Sequence, residues 1–353
     1  MALDRDLGVA WARAWSVIDP SPKRGWEMLA ATGVRALRLL HESGRFTSML
    51  STEANPNAAA LLGRNVERYA AEGALARTAD AHSIPSEAPF DYVDLDPYGS
   101  PIPYLPSALA AVTEGGILGV SATDMTVLGG ADPSACVRRY GGRPVRGELG
   151  PESGLRILLA ALSREARNSG RTIRPTLAYV GDHHVRAYVR LVPVEAAHPD
   201  PISMVELEGW QGTYLPGPGP YGPMWTGPLL DPEWIARLSV PTSAADRKRT
   251  EQWIAGWKGE VSVDRPFYYD SNELAEHTGA SAPAPVDRLI EELRARGFAA
   301  ARTRTRLGRF RTTAPRSVVE EVARSVSHSQ TDRVRAELRS ARRISASRSS
   351  SFR

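Results

Sequence analysis

The stretch Asp94-Leu95-Asp96-Pro97-Tyr98-Gly99-Ser100-Pro101, directly after the strand-like run Phe90 to Leu95, decides how this chain is read. A mostly apolar strand that ends in two acids, a Pro and a Gly is a corner at the end of a buried sheet. Carboxylates there are costly unless a site uses them. Strand-like and helix-like stretches alternate on both sides of it. Upstream, Asp6 to Ile18 has helical periodicity, with Leu7, Ala10, Trp11, Ala14, Trp15 and Ile18 on one face. Glu27 to Ala30 reads as a strand, turned at Thr32-Gly33 into a helix over Val34 to His41. Thr47 to Thr52 is the next strand, and Asn55-Pro56 supplies an N-cap and a first-turn proline for a helix to about Ala71. Downstream come a helix over Ser107 to Thr113, a strand over Gly116 to Ser121 and a long helix over Glu152 to Asn168. Two late strands, Ile173 to Val180 and Val185 to Val192, are joined by Gly181-Asp182-His183-His184. The alternation predicts an α/β fold: an open, mostly parallel, Rossmann-like sheet with one antiparallel edge.

Beyond it, Pro201 to Pro232 is rich in Pro and Gly and reads as a linker or irregular excursion. Helices are expected over Thr242 to Trp257, Ser271 to Thr278 and Pro285 to Arg296, and strands over Phe298 to Thr303 and Phe310 to Thr313. These form a smaller C-terminal α+β unit of winged-helix-like pattern. The expected partition is residues 1–225, 226–318 and a basic helical or disordered tail over 319–353. The 353 residues suffice for two domains with a buried core. One cysteine, Cys136, excludes an internal disulfide or a cysteine zinc cluster, and no apolar run approaches a membrane span. No secretory signal opens the chain, so a cytoplasmic location is expected. From Arg302 to Arg353 fourteen Arg face four acids, a local +10 in a chain whose total is +4, so the rest sums to −6. That asymmetry points to an anionic partner such as nucleic acid, with Arg302 and Arg304 in its patterned part; the Ser/Arg run from Ser340 reads equally as a plain solvated tail.

In an open α/β sheet, ligands lie beyond the C-terminal ends of the strands. Ala30-Ala31-Thr32-Gly33 lets backbone approach a cofactor, Glu53 lies twenty residues after Gly33 to accept from ribose hydroxyls, and Asp80-Ala81 is placed to meet an adenine edge. The turn lacks the second glycine of a pyrophosphate cradle. An adenosine cofactor without phosphate, S-adenosylmethionine (SAM), fits better than a dinucleotide. At the reacting corner, Asp96 and the Pro97 carbonyl are acceptors for an amine N–H, and Tyr98 is a stacking surface for a base swung out of its helix. Asp94 is read as facing away from Asp96 and supporting the neighbouring loop.

With these residues in hand, the chain resembles the tRNA guanine-26 N2-dimethyltransferase family, its archaeal members especially, from about Leu3 to about Pro315. The resemblance runs through Asp4-Arg5-Asp6-Leu7, Leu29 to Arg35, Asp94 to Pro101, Thr123-Asp124, Cys136 to Tyr140, Gly154 to Leu158, Asp182 to Arg186, Trp225 to Leu229, Pro266 to Asp270 and Ala301 to Thr303. It implies a SAM-dependent methyltransferase fold followed by a C-terminal tRNA-binding domain, and transfer of one or two methyls to N2 of guanine 26. By motif match it implies Arg5 at the SAM carboxylate, Glu53 in place of the family's ribose-binding Asp, Asp80 at the adenine, Asp96 as catalytic acceptor and Tyr98 as the stacking aromatic. The family's Phe-Tyr-Asn block has no counterpart ahead of Asp4, which stands where relatives have Asn, so the start or the base capture differs. Residues 147–152 lack the family's Cys-His, and Arg304 replaces a His. The alternatives are an amino-methyltransferase acting on another RNA or DNA, and a tRNA-binding protein or chaperone with impaired catalysis.

Arg138, Arg139 and Arg156 are expected either at phosphates or simply on helix surfaces. His183-His184 reads as a hairpin turn touching substrate or cofactor, with no metal expected. Trp210, Trp225, Trp234, Trp253 and Trp257 read as core or interface aromatics, and Cys136 as a buried small residue. The chain is taken as a monomer.

Overall fold

Two periodicities build the molecule, described here by a computed structural model over residues 2–69, 72–194, 199–207, 219–263, 265–280, 282–304 and 308–327. The first half comprises α1 (Ala2–Ile18), β1 (Lys23–Glu27), α2 (Val34–Ser43), β2 (Phe46–Glu53), α3 (Pro56–Tyr69), β3 (Ala74–Thr78), β4 (Phe90–Leu95), α4 (Leu105–Ala111), β5 (Val112–Ala122), α5 (Met125–Leu128), α6 (Pro133–Tyr140), α7 (Gly150–Arg167), β6 (Arg171–Val180) and β7 (Val185–Pro193). Its strands form one seven-stranded sheet in the order β3-β2-β1-β4-β5-β7-β6. The first five are parallel; β7 runs antiparallel between β5 and β6. The reversed strand is therefore inside the sheet and not at its edge.

The expected strand at Glu27 to Ala30 is corrected: β1 ends at Glu27. Met28 to Ala30 are apolar because they are covered, but their amides leave the ladder, Met28 N–H going to the Asp94 carbonyl and Ala30 N–H to that of Thr52. Asn55 caps α3 as expected, accepting from Asn57 and Ala58 N–H at 3.0 and 3.2 Å. The edge strand β3 is mostly exposed and offers no apolar alternation, which is why its sequence does not announce it. The expected end of α3 at Ala71, like Trp210 and the tail beyond 327, lies outside the described residues.

One face of the sheet packs under α4 to α7 and the other under α1, α2 and two later helices. On the second face Trp11 stacks on Tyr188 and Trp234 with ring centroids 4.2 and 5.5 Å apart, and its indole N–H reaches Thr176 Oγ1 at 3.1 Å. A buried indole thus finds the partner its polar end requires.

The second half contains β8 (Ile202–Val205), β9 (Tyr221–Trp225), α8 (Pro232–Arg237), α9 (Arg247–Glu260), β10 (Tyr269–Asp270), α10 (Ser271–Thr278), α11 (Val286–Ala295), β11 (Ala300–Arg302), β12 (Arg309–Thr312) and a helical segment over 316–327. A three-stranded sheet, β10-β12-β11, closes a separate apolar core with Leu274, Leu289, Leu293, Phe310 and Val322. A buried ion network joins this unit to α7. Arg311 binds Glu152 at 2.8 Å and Glu260 at 2.6 Å, and Glu152 also holds Arg156 at 2.8 Å and the Phe267 N–H at 2.8 Å. Arg156, read from the sequence as a surface or phosphate-binding arginine, is instead buried here, because Glu152 one helical turn earlier supplies its charge partner.

Candidate active site

The parallel strands β1, β4 and β5 end side by side, and the candidate residues lie beyond those ends. At the end of β1, Ala31 takes a positive φ of 48° and Gly33 one of 70°. Glycine is required at the second position, because an added Cβ would also meet Leu62 Cδ1 at 2.3 Å. Glu53, at the end of β2, accepts the Ala31 N–H at 2.8 Å through one oxygen and the Asn55 N–H at 2.9 Å through the other. Each oxygen keeps a lone pair for a hydroxyl donor. Asp80 is exposed and binds His82 through Oδ1 alone, at 2.7 Å to both its N–H and its ring Nδ1, leaving Oδ2 open; Ala81 beside it is buried. Arg5 is half-buried on α1 and makes no ion pair with any described residue. Open backbone, two carboxylates with free lone pairs and a cation without an ion pair thus lie around the ends of these strands.

The Asp96 corner follows β4. Asp94 is fully buried and Asp96 three-quarters buried. The expectation that they face apart is corrected: residues two apart on a strand share a face, and both carboxylates meet Arg35 of α2. Arg35 Nε lies 3.7 Å from Asp94 and its terminal nitrogen bonds Asp96. Arg186 of β7 completes the cluster with bonds to Asp94 at 2.5 and 3.2 Å, and Tyr92 donates its hydroxyl to Asp94. Gly119 of β5 makes room, since a Cβ there would lie 2.7 Å from both the Arg186 guanidinium and the Tyr92 hydroxyl. Burial works against the charge on Asp96, but Arg35 and Arg186, helped by the Ser121 hydroxyl, outweigh it and hold the carboxyl down at about 2. Asp96 is thus an anion throughout the physiological range, a pure acceptor.

Tyr98 is fully exposed, next to buried Pro97. Its loop is pinned from both sides of Gly99: the Gly99 N–H donates to Thr123 Oγ1 at 2.7 Å, and the Thr123 N–H to the Gly99 carbonyl at 3.0 Å. The backbone beside Tyr98 is thus fixed, while the ring itself lies in water.

Sequence reasoning assigned no role to Arg35, Arg186 or Glu27, although the first two lie within the motif blocks quoted above. Glu27 is 5% exposed at the end of β1, with long contacts from Ala36 N–H at 3.3 Å and Ser51 Oγ at 3.4 Å. Nearby, Asp4 accepts from Tyr179 Oη at 3.1 Å and pairs with His184 Nε2 at 3.0 Å. Burial opposes the charge on Asp4, but His184 and Arg35 overcome it and keep the carboxyl below its usual range.

The four arginines expected to bind nucleic acid differ in their freedom. Arg138 is exposed and has no ion pair among the described residues. Arg139 is tied to Asp124 and Arg302 to Asp287 at 2.7 Å. Arg304 lies along α9 where Gly256 leaves space, its guanidinium 5.2 Å from the Trp253 ring. Trp225, Trp234, Trp253 and Trp257 are buried, as is Cys136, whose thiol burial pushes up to about 12.

A family model described as N2,N2-dimethylguanosine tRNA methyltransferase matches residues 1–205 and 217–324. The tRNA (guanine(26)-N(2))-dimethyltransferases of Thermococcus kodakarensis and Pyrococcus abyssi are each 31% identical to this chain, over 92% of it and 92% and 91% of their own lengths. The solved complex of Trm1 from Pyrococcus horikoshii with S-adenosyl-L-methionine has a TM-score of 0.82 to this structure at 29% identity, covering 91% of this chain and 92% of that one.

Proposed function

The chain belongs to the N2,N2-dimethylguanosine tRNA methyltransferase family, and from that membership we propose that it methylates the exocyclic N2 of guanine 26 in tRNA, once or twice, using SAM. The observation that carries the reading is Asp96, an acceptor locked by Arg35, one residue from the buried Pro97 that precedes the fully exposed Tyr98.

SAM supplies an electrophilic methyl on a sulfonium. The chain supplies position. Arg5 takes the amino-acid carboxylate, Ala31, Thr32 and Gly33 give backbone approach, Glu53 holds the ribose, and Asp80 with Ala81 meets the adenine. Tyr98 stacks the extruded guanine, and Asp96 with the Pro97 carbonyl accepts from the amine, aiming its lone pair. A free guanine amine is a poor nucleophile but becomes strongly acidic as the N–C bond forms. A carboxylate of low basicity therefore suffices to accept the proton, and a permanently ionised Asp96 has its acceptor lone pairs ready. Holding the anion with buried arginines fixes its position before the reaction and avoids reorganisation during it.

We assign residues 1–225 to the cofactor domain, 226–318 to tRNA binding and 319–353 to a basic tail. Arg138, Arg139, Arg302 and Arg304 are assigned to tRNA, with Arg138 the most available. No helix among the described residues is long and apolar enough to cross a membrane; as a tRNA-modifying enzyme the protein is assigned to the cytoplasm. The test is methyl transfer from labelled SAM to tRNA transcripts carrying guanine or adenine at position 26, with nucleoside analysis. N2-methyl- or N2,N2-dimethylguanosine from the guanine transcript alone is expected; label in neither transcript, or equally in both, overturns the assignment.

A further inference from the structure

The charged cluster beneath the strand ends contains one carboxyl too many. Asp94 and Asp96 are matched by Arg35 and Arg186, all in contact. Glu27 is the fifth member. It stands opposite Asp94 in the β1–β4 ladder, accepts from the Ala36 N–H of α2 and the Ser51 hydroxyl of β2, and lies in the field of Asp94, Arg35 and Asp96; Arg186 and Tyr92 bind Asp94, and Asp4, paired with His184, shares the field of Arg35. No described cation comes within ion-pair distance of it, and its two hydrogen bonds are long. An ionised carboxylate buried this deeply without a counter-charge is strongly disfavoured.

We propose that Glu27 is the charge partner of the cofactor: neutral in the empty enzyme, it releases its proton when the sulfonium compound binds and regains one once the methyl has left. The proposal rests on the SAM-dependent reading above. SAM carries an ammonium, a carboxylate and a sulfonium, one net positive charge; demethylated S-adenosylhomocysteine (SAH) carries none. Ionised Glu27 balances the cluster with SAM present, and neutral Glu27 balances it with SAH. Methyl transfer forms the N–C bond and breaks the C–S bond, whose electron pair stays on sulfur. The positive charge passes to the amine and departs as its proton, in the same stage in which Glu27 takes one up. Burial and the neighbouring charge of Asp94 agree with this, pushing Glu27 up to about 8 against the pull of Arg35. Glu27 is thus a positioning residue for charge, acting without contact to the transferred methyl.

Calorimetry of SAM and SAH binding near pH 7, in buffers of different ionisation enthalpy, counts the protons exchanged without any turnover. Release of close to one proton more with SAM than with SAH is expected, and Glu27→Gln should remove the difference. Equal exchange for the two ligands, or a difference that survives in Glu27→Gln, overturns the proposal. Should that variant not fold, the wild-type protein decides: preference for SAM over SAH should rise about tenfold per pH unit below pH ~8 and level off above it, and a flat preference overturns the proposal. Absence of SAM binding would instead reject the methyltransferase reading, whereas transfer with no proton difference rejects this proposal alone.

Discussion

The Tyr179 hydroxyl donates to Asp4 at 3.1 Å while its ring lies 5.4 and 5.3 Å from those of Trp253 and Trp257. One side chain of β6 thereby touches α9 on one side and, on the other, the residue next to Arg5. Tyr179→Phe removes the hydrogen bond and keeps the packing, a change of about 1 kcal/mol. SAM affinity should weaken about two- to tenfold by calorimetry, with thermal stability nearly unchanged.

Asp96→Asn keeps the shape of the corner but loses its anion. Single-turnover methyl transfer should slow by about two orders of magnitude or more. SAM affinity should stay within about tenfold, roughly 1.4 kcal/mol. Loss of SAM binding in this variant would place Asp96 in the cofactor site and out of the reacting one.

Tyr98→Ala should leave stability within about 0.5 kcal/mol, because the side chain is fully exposed. Stacking on a base contributes about 1–3 kcal/mol. kcat/KM for tRNA should therefore fall roughly ten- to a hundredfold, and Tyr98→Phe should restore it.

Among the assigned arginines, Arg138→Ala should weaken tRNA binding across sequences and lower the salt dependence by about one counterion. Arg302→Ala, which removes a side chain already engaged with Asp287, should do less. Filter binding over a salt series separates the two.

Arg311→Met would strand Glu260 in the interior and leave Glu152 with Arg156 alone. Breaking a buried pair from one side costs about 3–5 kcal/mol, read as a lower denaturant midpoint. The pH dependence follows from Glu152. Burial opposes its charge, but Arg311 and Arg156 dominate and hold it at about 2, below its ordinary 4.5. A lowered folded value means that its contribution is complete above about 4.5 and is lost as the pH falls towards 2. Denaturation between these pH values should show that decline in the wild type and a shallower one in Glu152→Gln.

The alternation of periods was enough to read the sheet class, the corner at Asp96 and the turn at Gly33, since these are local patterns of two to four residues. What stayed illegible is long-range. Arg186 meets Asp94 across 92 positions, and nothing near either residue announces the other. Glu27 looked like the start of a strand because covered loop residues follow it. Arg156 looked like a surface arginine because its partner Glu152 binds Arg311, 159 positions away, and only that contact makes the site interior. Pairing of this kind is fixed by topology, which periodicity does not encode.

Because β7 runs backwards through the sheet, its first residues, and not its last, arrive beneath the reacting corner, bringing Arg186 to Asp94. Synthesis proceeds in the other order: β1, α2 and β4 emerge from the ribosome well before β7. Until the hairpin of β6 and β7 is in place, Asp94 has Arg35 as its one cation among the described residues. The charge balance beneath Asp96 therefore depends on a strand that the ribosome delivers late. Pairings this distant in the chain carry a larger loop-closure cost than a hairpin does.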